Sequence, residues 1–561
     1  VADGGAAARA AVHDALRQRG FTPAAPEAGA SLYAGILDPD ALGIPITIAV
    51  EDLDFVAYPC IRIEPGFVMP ARTLPHVAGL DRSLCYYAKG SVILDRYDPG
   101  GTVLQCIAQA ETVLRDAVAG RSNDDLADEF HAYWGSSYVY VDLPRDHIGP
   151  ARLCLTALDR GDKTPLVATT GRSWFMARGE RTRRQADAGE PLMVIAVDRP
   201  LTFAATEAWP PKALPDLDRW LARAAPDLAG VVQRTLRMGT GTSAAVLIRA
   251  PNGMYCYRIK VPPHLRRPEF LRNRRTRLPE IMKRQPTATP VERFVGHRAD
   301  TDYLFGRNLG GMLNLAGKRI LLVGCGTIGG FLAQQLAQCG AGAGRGSLTL
   351  VDPDVLKPGN IGRHLLGVPY LGENKAEACV AFLKAQLPPL AIAGRAGDVL
   401  ALDLRRERYD LVVDATGEEA LSLALNERAV RARPGGPPHL FVWLAGNGAA
   451  AQCLLTGEAG RACLKCLKPA LAGPPRFPVL RPGVDVETVI NVSCSDPDYI
   501  PFPVSRSVAA AALACEVVLD WANGDPGDRF RSLILDARSA LPVPSGSPSP
   551  VEACPACGPA A

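Results

Sequence analysis

Residues 319–340 read RILLVGCGTIGGFLAQQLAQCG. An apolar run, Ile320 to Val323, leads into Gly324-x-Gly326-x-x-Gly329 and then into an apolar helical pattern. This is the phosphate-binding entry of a Rossmann-type unit, in which glycines permit the tight turn and the close approach of backbone to phosphate at a helix N-terminus. The glycines alone leave NAD and ATP open. Outward from this loop, the runs ILLVG, LTLVD, DLVVDAT and HLFVWLA each adjoin a helical pattern from about residue 296 onward, which predicts an α/β domain with a parallel, doubly wound sheet.

The residues that follow bear on the nucleotide. LTLVDPD ends a strand at Asp352, where a carboxylate accepts hydrogen bonds from a ribose, a role that serves NAD and ATP equally. Asn360, Arg363 and Lys375 follow in VLKPGNIGRHLLGVPYLGENKAEA. A nicotinamide needs an apolar face and no added positive charge, whereas a triphosphate needs cations while a carboxylate attacks its α-phosphorus. DLVVDATGEE then sets Asp414 at a carboxyl edge, suited to holding Mg²⁺ on the phosphates.

These motifs, with Arg307 in LFGRN, resemble the adenylation domain of ThiF, MoeB and the ubiquitin-activating enzymes over residues 296–561. The resemblance implies ATP as cofactor and attack of a protein's C-terminal carboxylate on it to give an acyl-adenylate and pyrophosphate. It implies that Asp352 binds ribose, that Asn360, Arg363 and Lys375 bind phosphates, and that Asp414 binds Mg²⁺. Arg307 matches an arginine that reaches into the partner's site in homodimeric members, so a homodimer is expected.

A chain of 561 residues exceeds a single core, and two to four domains are expected. A net charge of +4 is too weak to argue for nucleic acid. No basic-then-apolar leader and no run of roughly 18 apolar residues is present, which predicts a cytoplasmic protein with no membrane span. Its 15 cysteines are then expected to be reduced and available for metal or catalysis. Residues 1–145 read as an α+β domain, with an amphipathic helix from Ala7 to Arg19, short strands, and helical patterns at 102–118 and 124–134. Residues 146–295 read as an α+β linker domain with strand-like runs PLMVIAV, AAVLIRA and MYCYRIKV. Its basic stretch, 266–284, reads as a solvated face with no assigned function.

Cys463-x-x-Cys466 and Cys554-x-x-Cys557 supply two pairs suited to a closed tetrahedral Zn²⁺ site, structural because four thiolates leave no position for substrate. Cys494 lies in the polar, proline-containing segment NVSCSDPDYIPFPVSRS before the last apolar helix. A thiolate there that attacks an acyl-adenylate forms a thioester and releases AMP. In the front domain Cys85 lies among apolar and aromatic residues and is expected in the core. Cys106, after YDPGG, is expected in the first turn or two of a helix, where backbone N–H groups and the macrodipole favour a thiolate.

LCY, LDRYDPG, that cysteine and EFHAYW (129–134) together resemble the bacterial ubiquitin-conjugating-like domain that precedes an adenylation domain. His76 in LPHV resembles the histidine of the eukaryotic His-Pro-Asn element, although the tripeptide is absent. The whole chain is similar to the conjugating–activating fusions of bacterial anti-phage (CBASS) operons. That similarity implies a relay from adenylate to Cys494 to Cys106 to a target lysine amine. The activated partner would be a cGAS-like nucleotidyltransferase or a ubiquitin-like protein, engaged through its C-terminus. The alternative is sulfur transfer to a ThiS/MoaD-like sulfur carrier. No H-x-H or H-E-x-x-H pair is present, so a built-in metalloprotease is not expected.

Overall fold

The computed structural model describes residues 2–26, 30–79, 81–156, 166–171, 189–228, 230–238, 243–267, 277–284, 289–458, 460–470, 473–489 and 499–558. The chain divides into two compact units, Val1–Ala299 and Asp300–Ala561. Among the described residues no helix is long and apolar enough to cross a membrane.

The first unit opens with an antiparallel sheet of four strands in sequential order: Thr22–Pro23, Ser31–Leu37, Ile44–Val50 and Cys60–Ile63. Ile44, Ile46 and Ile48 alternate along one strand, so they share a face, and all three are buried with the helices Ala2–Gln18 and Pro99–Val118. Asp98 caps the second helix by accepting from the Gly101 N–H, and Pro99 occupies the first position, where no N–H is needed.

The rest of this unit is a closed barrel of seven strands, in the order Gly253–Lys260, Val291–Arg298, Tyr138–Asp142, Leu166–Thr169, Gly149–Leu155, Glu190–Ala196 and Ser243–Ala250. Val141, Leu153, Val194, Leu247 and Cys256 form one of its buried clusters. A second cluster packs Phe130, Trp134, Trp209, Trp220 and Tyr255 with the helix Leu214–Ala224. Two features read as part of the front domain thus join the barrel: strand Tyr138–Asp142, and the apolar side of residues 125–134. Periodicity gave the helical pattern of 124–134, but neither the strand Tyr138–Asp142 nor the neighbour that buries the two. Part of the basic stretch, 268–276, lies outside the described residues.

The second unit is built on a seven-stranded sheet in the order Ile392–Ala396, Ser347–Asp352, Arg319–Val323, Leu411–Asp414, His439–Ala445, Ala450–Thr456 and Phe530–Ile534. The first five are parallel, and their carboxyl ends present Val323, Asp352 and Asp414 along one edge. The last two are antiparallel, a departure from the all-parallel expectation. The link from Ala445 to Ala450 is a tight turn with Gly446 and Gly448 at positive φ, too short for the crossover that a parallel neighbour requires. Helices Thr327–Gln338 and Val504–Ala522 contribute Leu332, Leu336, Ala511 and Ala514 to the core.

Candidate active site

Gly324 ends the central strand with φ +84°, and a Cβ there would lie 2.8 Å from the Thr416 side chain. At Gly329, one turn into the helix, a Cβ would lie 1.8 Å from the Gly324 carbonyl oxygen. A Cβ on Gly326, by contrast, would meet nothing within 4 Å. Two glycines therefore pack the loop against protein, while the third faces open space at a helix N-terminus, as backbone that admits a phosphate requires.

The loop is tied to the carboxyl edge by direct bonds. The Cys325 N–H donates to Asp352 (2.7 Å), whose other oxygen accepts from the Asp354 N–H (2.8 Å). About four acceptor positions exist on a carboxylate, so Asp352 retains capacity for ribose hydroxyls. Thr327 Oγ1 donates to the Arg363 carbonyl (2.7 Å), and His364 Nε2–H donates to the Cys325 carbonyl (2.6 Å). His364 Nδ1 accepts the Leu366 N–H (3.0 Å), which fixes the neutral tautomer; burial lowers its pKa. The motif histidine was not singled out in the sequence, yet it fastens the loop to the segment carrying Asn360 and Arg363.

Those two residues lie on a short 3₁₀ segment, Pro358–Arg363, where Asn360 Oδ1 accepts the Lys357 N–H (2.9 Å). Lys375 is the first residue of helix Lys375–Gln386, capped by Asn374, and its Nζ pairs with Asp354 at 2.8 Å. The Arg363 guanidinium lies over the Tyr499 ring, 5.4 Å from its centre. Backbone bonds in both directions join Tyr499 to Val489, and Asn447 donates to the Glu487 and Pro501 carbonyls. Cys494 lies between these anchors and outside the described residues. Arg307 ends helix Thr301–Gly306 and lies over the Tyr303 ring, 5.6 Å from its centre.

Asp414 is buried, 2% exposed, and accepts from the Thr416 N–H (3.0 Å), Thr416 Oγ1 (2.7 Å) and Ser422 Oγ (2.5 Å). Burial raises its pKa against those bonds. Carboxylate and hydroxyl oxygens form a donor set that fits Mg²⁺, and the hydroxyl hydrogens can turn aside. A cavity of about 630 Å³ opens beside Gly417 and Ser422 and runs along Phe441, Trp443, Leu467 and Phe477.

The sulfurs of Cys463, Cys466, Cys554 and Cys557 all lie within 4.8 Å of one another. Three of the separations are 3.9, 3.7 and 3.4 Å, close to the roughly 3.8 Å between thiolates placed tetrahedrally around zinc. Asn426 Nδ2 and the Val551 N–H donate to two of the sulfurs, the outer bonds expected of a thiolate cluster.

In the first unit the two cysteines exchange the environments expected of them. Cys106 is 0% exposed and two turns into its helix, beyond the free N–H groups, and burial raises its thiol pKa. Its expected place in the first turn or two holds, since the helix begins at Pro99, seven positions earlier; what is corrected is the favoured thiolate, because the sulfur is buried and past the free N–H groups. Cys85 is corrected in the opposite sense, for among the described thiols it alone is exposed. Its flanking residues Leu84 and Tyr86 are buried, so strand-like alternation turns the sulfur outward. Burial and the charge of Glu129 raise the Cys85 pKa.

Two family models match the chain: the ThiF family over residues 304–518 and the prokaryotic E2 family B over 37–139. The ATP-dependent ubiquitin transferase-like protein Cap2 of Pseudomonas aeruginosa (strain BWHPSA011) is 34% identical, covering 98% of this chain and 99% of that protein. The chain belongs to the Cap2 family. The Cap2 protein of Escherichia coli (strain TW11681) is 28% identical over 80% of each chain. The adenylyltransferase and sulfurtransferase MOCS3 of Sus scrofa is 32% identical over 41% of this chain and 46% of that protein. The Cap2-family chain is thus an adenylating and ubiquitin-like conjugating enzyme, with an E2-like domain ahead of a ThiF adenylation domain.

Proposed function

We propose that this enzyme activates a partner protein's C-terminal carboxylate and passes the acyl group through Cys494 to Cys85, then to an amine. The observation that carries the reading is the exposure of Cys85 inside a conjugating-type domain whose other candidate, Cys106, is sealed in the core. A carboxylate oxygen attacks the α-phosphorus of ATP and pyrophosphate leaves. Gly326 and the helix N-terminus receive phosphate, Asn360, Arg363 and Lys375 offset its charge, and Asp352 takes the ribose. Mg²⁺ on Asp414 supplies further charge neutralisation. The cavity beside Ser422 is a fitting channel for the partner's extended tail, since it opens at the residue that bonds Asp414.

The Cys494 thiolate then attacks the acyl carbon and AMP leaves; Cys85 attacks that thioester and the Cys494 thiol leaves. Exchange between thiols needs no second ATP. A support for Cys494 is that Tyr499, five residues further along the chain, lies under the guanidinium of Arg363. The raised thiol pKa of Cys85 suits a carrier, because a poorer leaving thiol keeps the ester until an amine attacks. An amide forms and the Cys85 thiol departs. We assign Zn²⁺ to the four-cysteine cluster and expect Arg307 to complete a neighbouring site in a homodimer. A cGAS-like nucleotidyltransferase or a ubiquitin-like protein is the partner class, in anti-phage defence. Sulfur transfer to a sulfur carrier would leave the front domain without a role.

The test is intact mass under non-reducing conditions after incubation with ATP, Mg²⁺ and the nucleotidyltransferase or ubiquitin-like proteins encoded beside it. The expected thiol-labile adduct needs ATP, is lost in Cys494→Ala and stops at Cys494 in Cys85→Ala. Passage to the front domain that survives Cys85→Ala and stops in Cys106→Ala overturns the assignment.

A further inference from the structure

We propose that Glu129 is a positioning residue for the carrier thiol, acting through His76 on the backbone that presents Cys85. The inference rests on the assignment of the carrier role to Cys85. His76 adopts φ +62°, a left-handed conformation that a non-glycine residue holds only where its surroundings impose it. Glu129 imposes it at two atoms. Its Oε2 accepts the His76 backbone N–H at 2.9 Å, and its Oε1 pairs with the His76 ring Nδ1 at 2.6 Å. Asp125 takes the other ring nitrogen, Nε2, at 2.9 Å. The imidazole is therefore held from both sides by carboxylates, each accepting a ring N–H, an arrangement that needs the doubly protonated ring.

The clamp reaches the thiol in one further bond. The His76 carbonyl accepts the Cys85 N–H at 2.8 Å, and Ala78 N–H to Ser83 closes the intervening hairpin at 2.8 Å. Tyr133 steadies the same segment, with its hydroxyl 3.0 Å from the Leu74 carbonyl and 3.3 Å from Glu129. Among the described residues, the titratable groups here are Glu129 and Asp125 on the His76 ring, Tyr133 on Glu129, and Cys85, whose N–H bonds the His76 carbonyl. The exposed sulfur thus sits at the end of a chain of bonds that starts at one carboxylate.

The hydrogen bond that the His76 ring donates to Glu129 is the largest cause raising its pKa to about 9; desolvation opposes it and Asp125 adds to it. The sign follows. The charged ring and both carboxylate bonds persist at neutral pH; as pH rises through about 9 one ring N–H disappears and one of the two bonds goes with it. Glu129→Gln removes the larger stabiliser, so the same loss should move toward the ordinary histidine range.

The full-length protein is charged at Cys85 by exchange with a short peptide thioester, which needs neither ATP nor partner. Discharge by hydroxylamine is then followed on the tryptic peptide carrying Cys85, across roughly pH 7 to 10. Wild type should show a step in discharge rate near 9, and Glu129→Gln should move that step down by roughly one to two pH units. Asp125→Asn should move it less, and Glu129→Asp, which keeps the charge, should restore part of the shift and serves if the glutamine variant does not fold. Profiles of wild type and Glu129→Gln that superimpose, or that differ by one factor at every pH, overturn the positioning role. Acyl mass found on the peptide of Cys106 or Cys60 instead of Cys85 overturns the carrier assignment, and the peptide that bears it tells the two failures apart.

Discussion

The glycine loop of the adenylation unit and the thiol hairpin of the front domain make an instructive pair. Each presents a candidate reactive position. In the loop, function is written in backbone geometry: only glycine tolerates φ +84° at 324 beside Thr416, or a carbonyl oxygen 1.8 Å from a Cβ at 329. In the hairpin, function is written in burial, since Cys85 and Cys106 are chemically identical and differ in which one meets water. Residue identity reports the first kind of constraint and is nearly silent on the second.

The largest expected effect sharpens that contrast. Cys85→Ala should remove transfer from the front domain by more than about a thousandfold, because the proposed relay passes the acyl group through its sulfur. Cys106→Ala should leave transfer within about twofold and cost ~1 kcal/mol of stability, the result of a small void beneath the sheet. Single-turnover transfer and thermal melts on both variants read the two quantities; a Cys106→Ala protein that melts normally and fails to transfer would reverse the comparison.

Within the loop, two glycines separate packing from ligand space. Gly329→Ala forces its methyl into the Gly324 carbonyl and should cost about 1–3 kcal/mol as well as ATP–pyrophosphate exchange. Gly326→Ala meets no protein atom within 4 Å, so the melting temperature should hold while ATP affinity falls by roughly tenfold or more. Equal losses of stability in the two variants would show that the open space beside Gly326 does not take the phosphate.

A smaller effect concerns the four-cysteine cluster. Metal analysis should find about one zinc per chain, and Cys554→Ser or chelation should lower the melting temperature by several degrees through loss of metal-linked folding energy. Conjugation by the metal-depleted protein at low temperature should persist, because a closed thiolate site has no open position for substrate.

How much of this was legible follows from the same division. The strands around the glycine loop, the strand-end positions of Asp352 and Asp414 and the two Cys-x-x-Cys pairs were readable because each is a local pattern with a steric or ligand requirement. The apolar strand pattern around Cys453 was readable too, but not the antiparallel direction of Ala450–Thr456 and Phe530–Ile534, since AAQCLLT is buried at every position, as a parallel strand would be. The helical stripe Val103, Cys106, Ala110, Leu114 and Ala117, spaced by threes and fours, did carry the signal that Cys106 is core. The alternation Leu84, Cys85, Tyr86 carried its counterpart, but three residues are too few to set a face without the partner strand.

His364 offers the finest test, because it joins the legible loop to a contact that sequence could not show. Its neutral ring donates from Nε2 to the Cys325 carbonyl and accepts the Leu366 N–H at Nδ1, and a second ring proton would abolish that acceptance. Burial sets the folded pKa below 6.5. A depressed value means that the stabilisation is fully present above the unfolded pKa and is lost as pH falls through the folded one. Wild type should therefore lose a few degrees of melting temperature on acidification below the ordinary histidine range, with ATP–pyrophosphate exchange falling in step. His364→Gln can donate and accept at similar positions without titrating, so its melting curve should be flatter over the same interval. Parallel curves for the two proteins would place the acid sensitivity in another group and leave the ring as an inert brace.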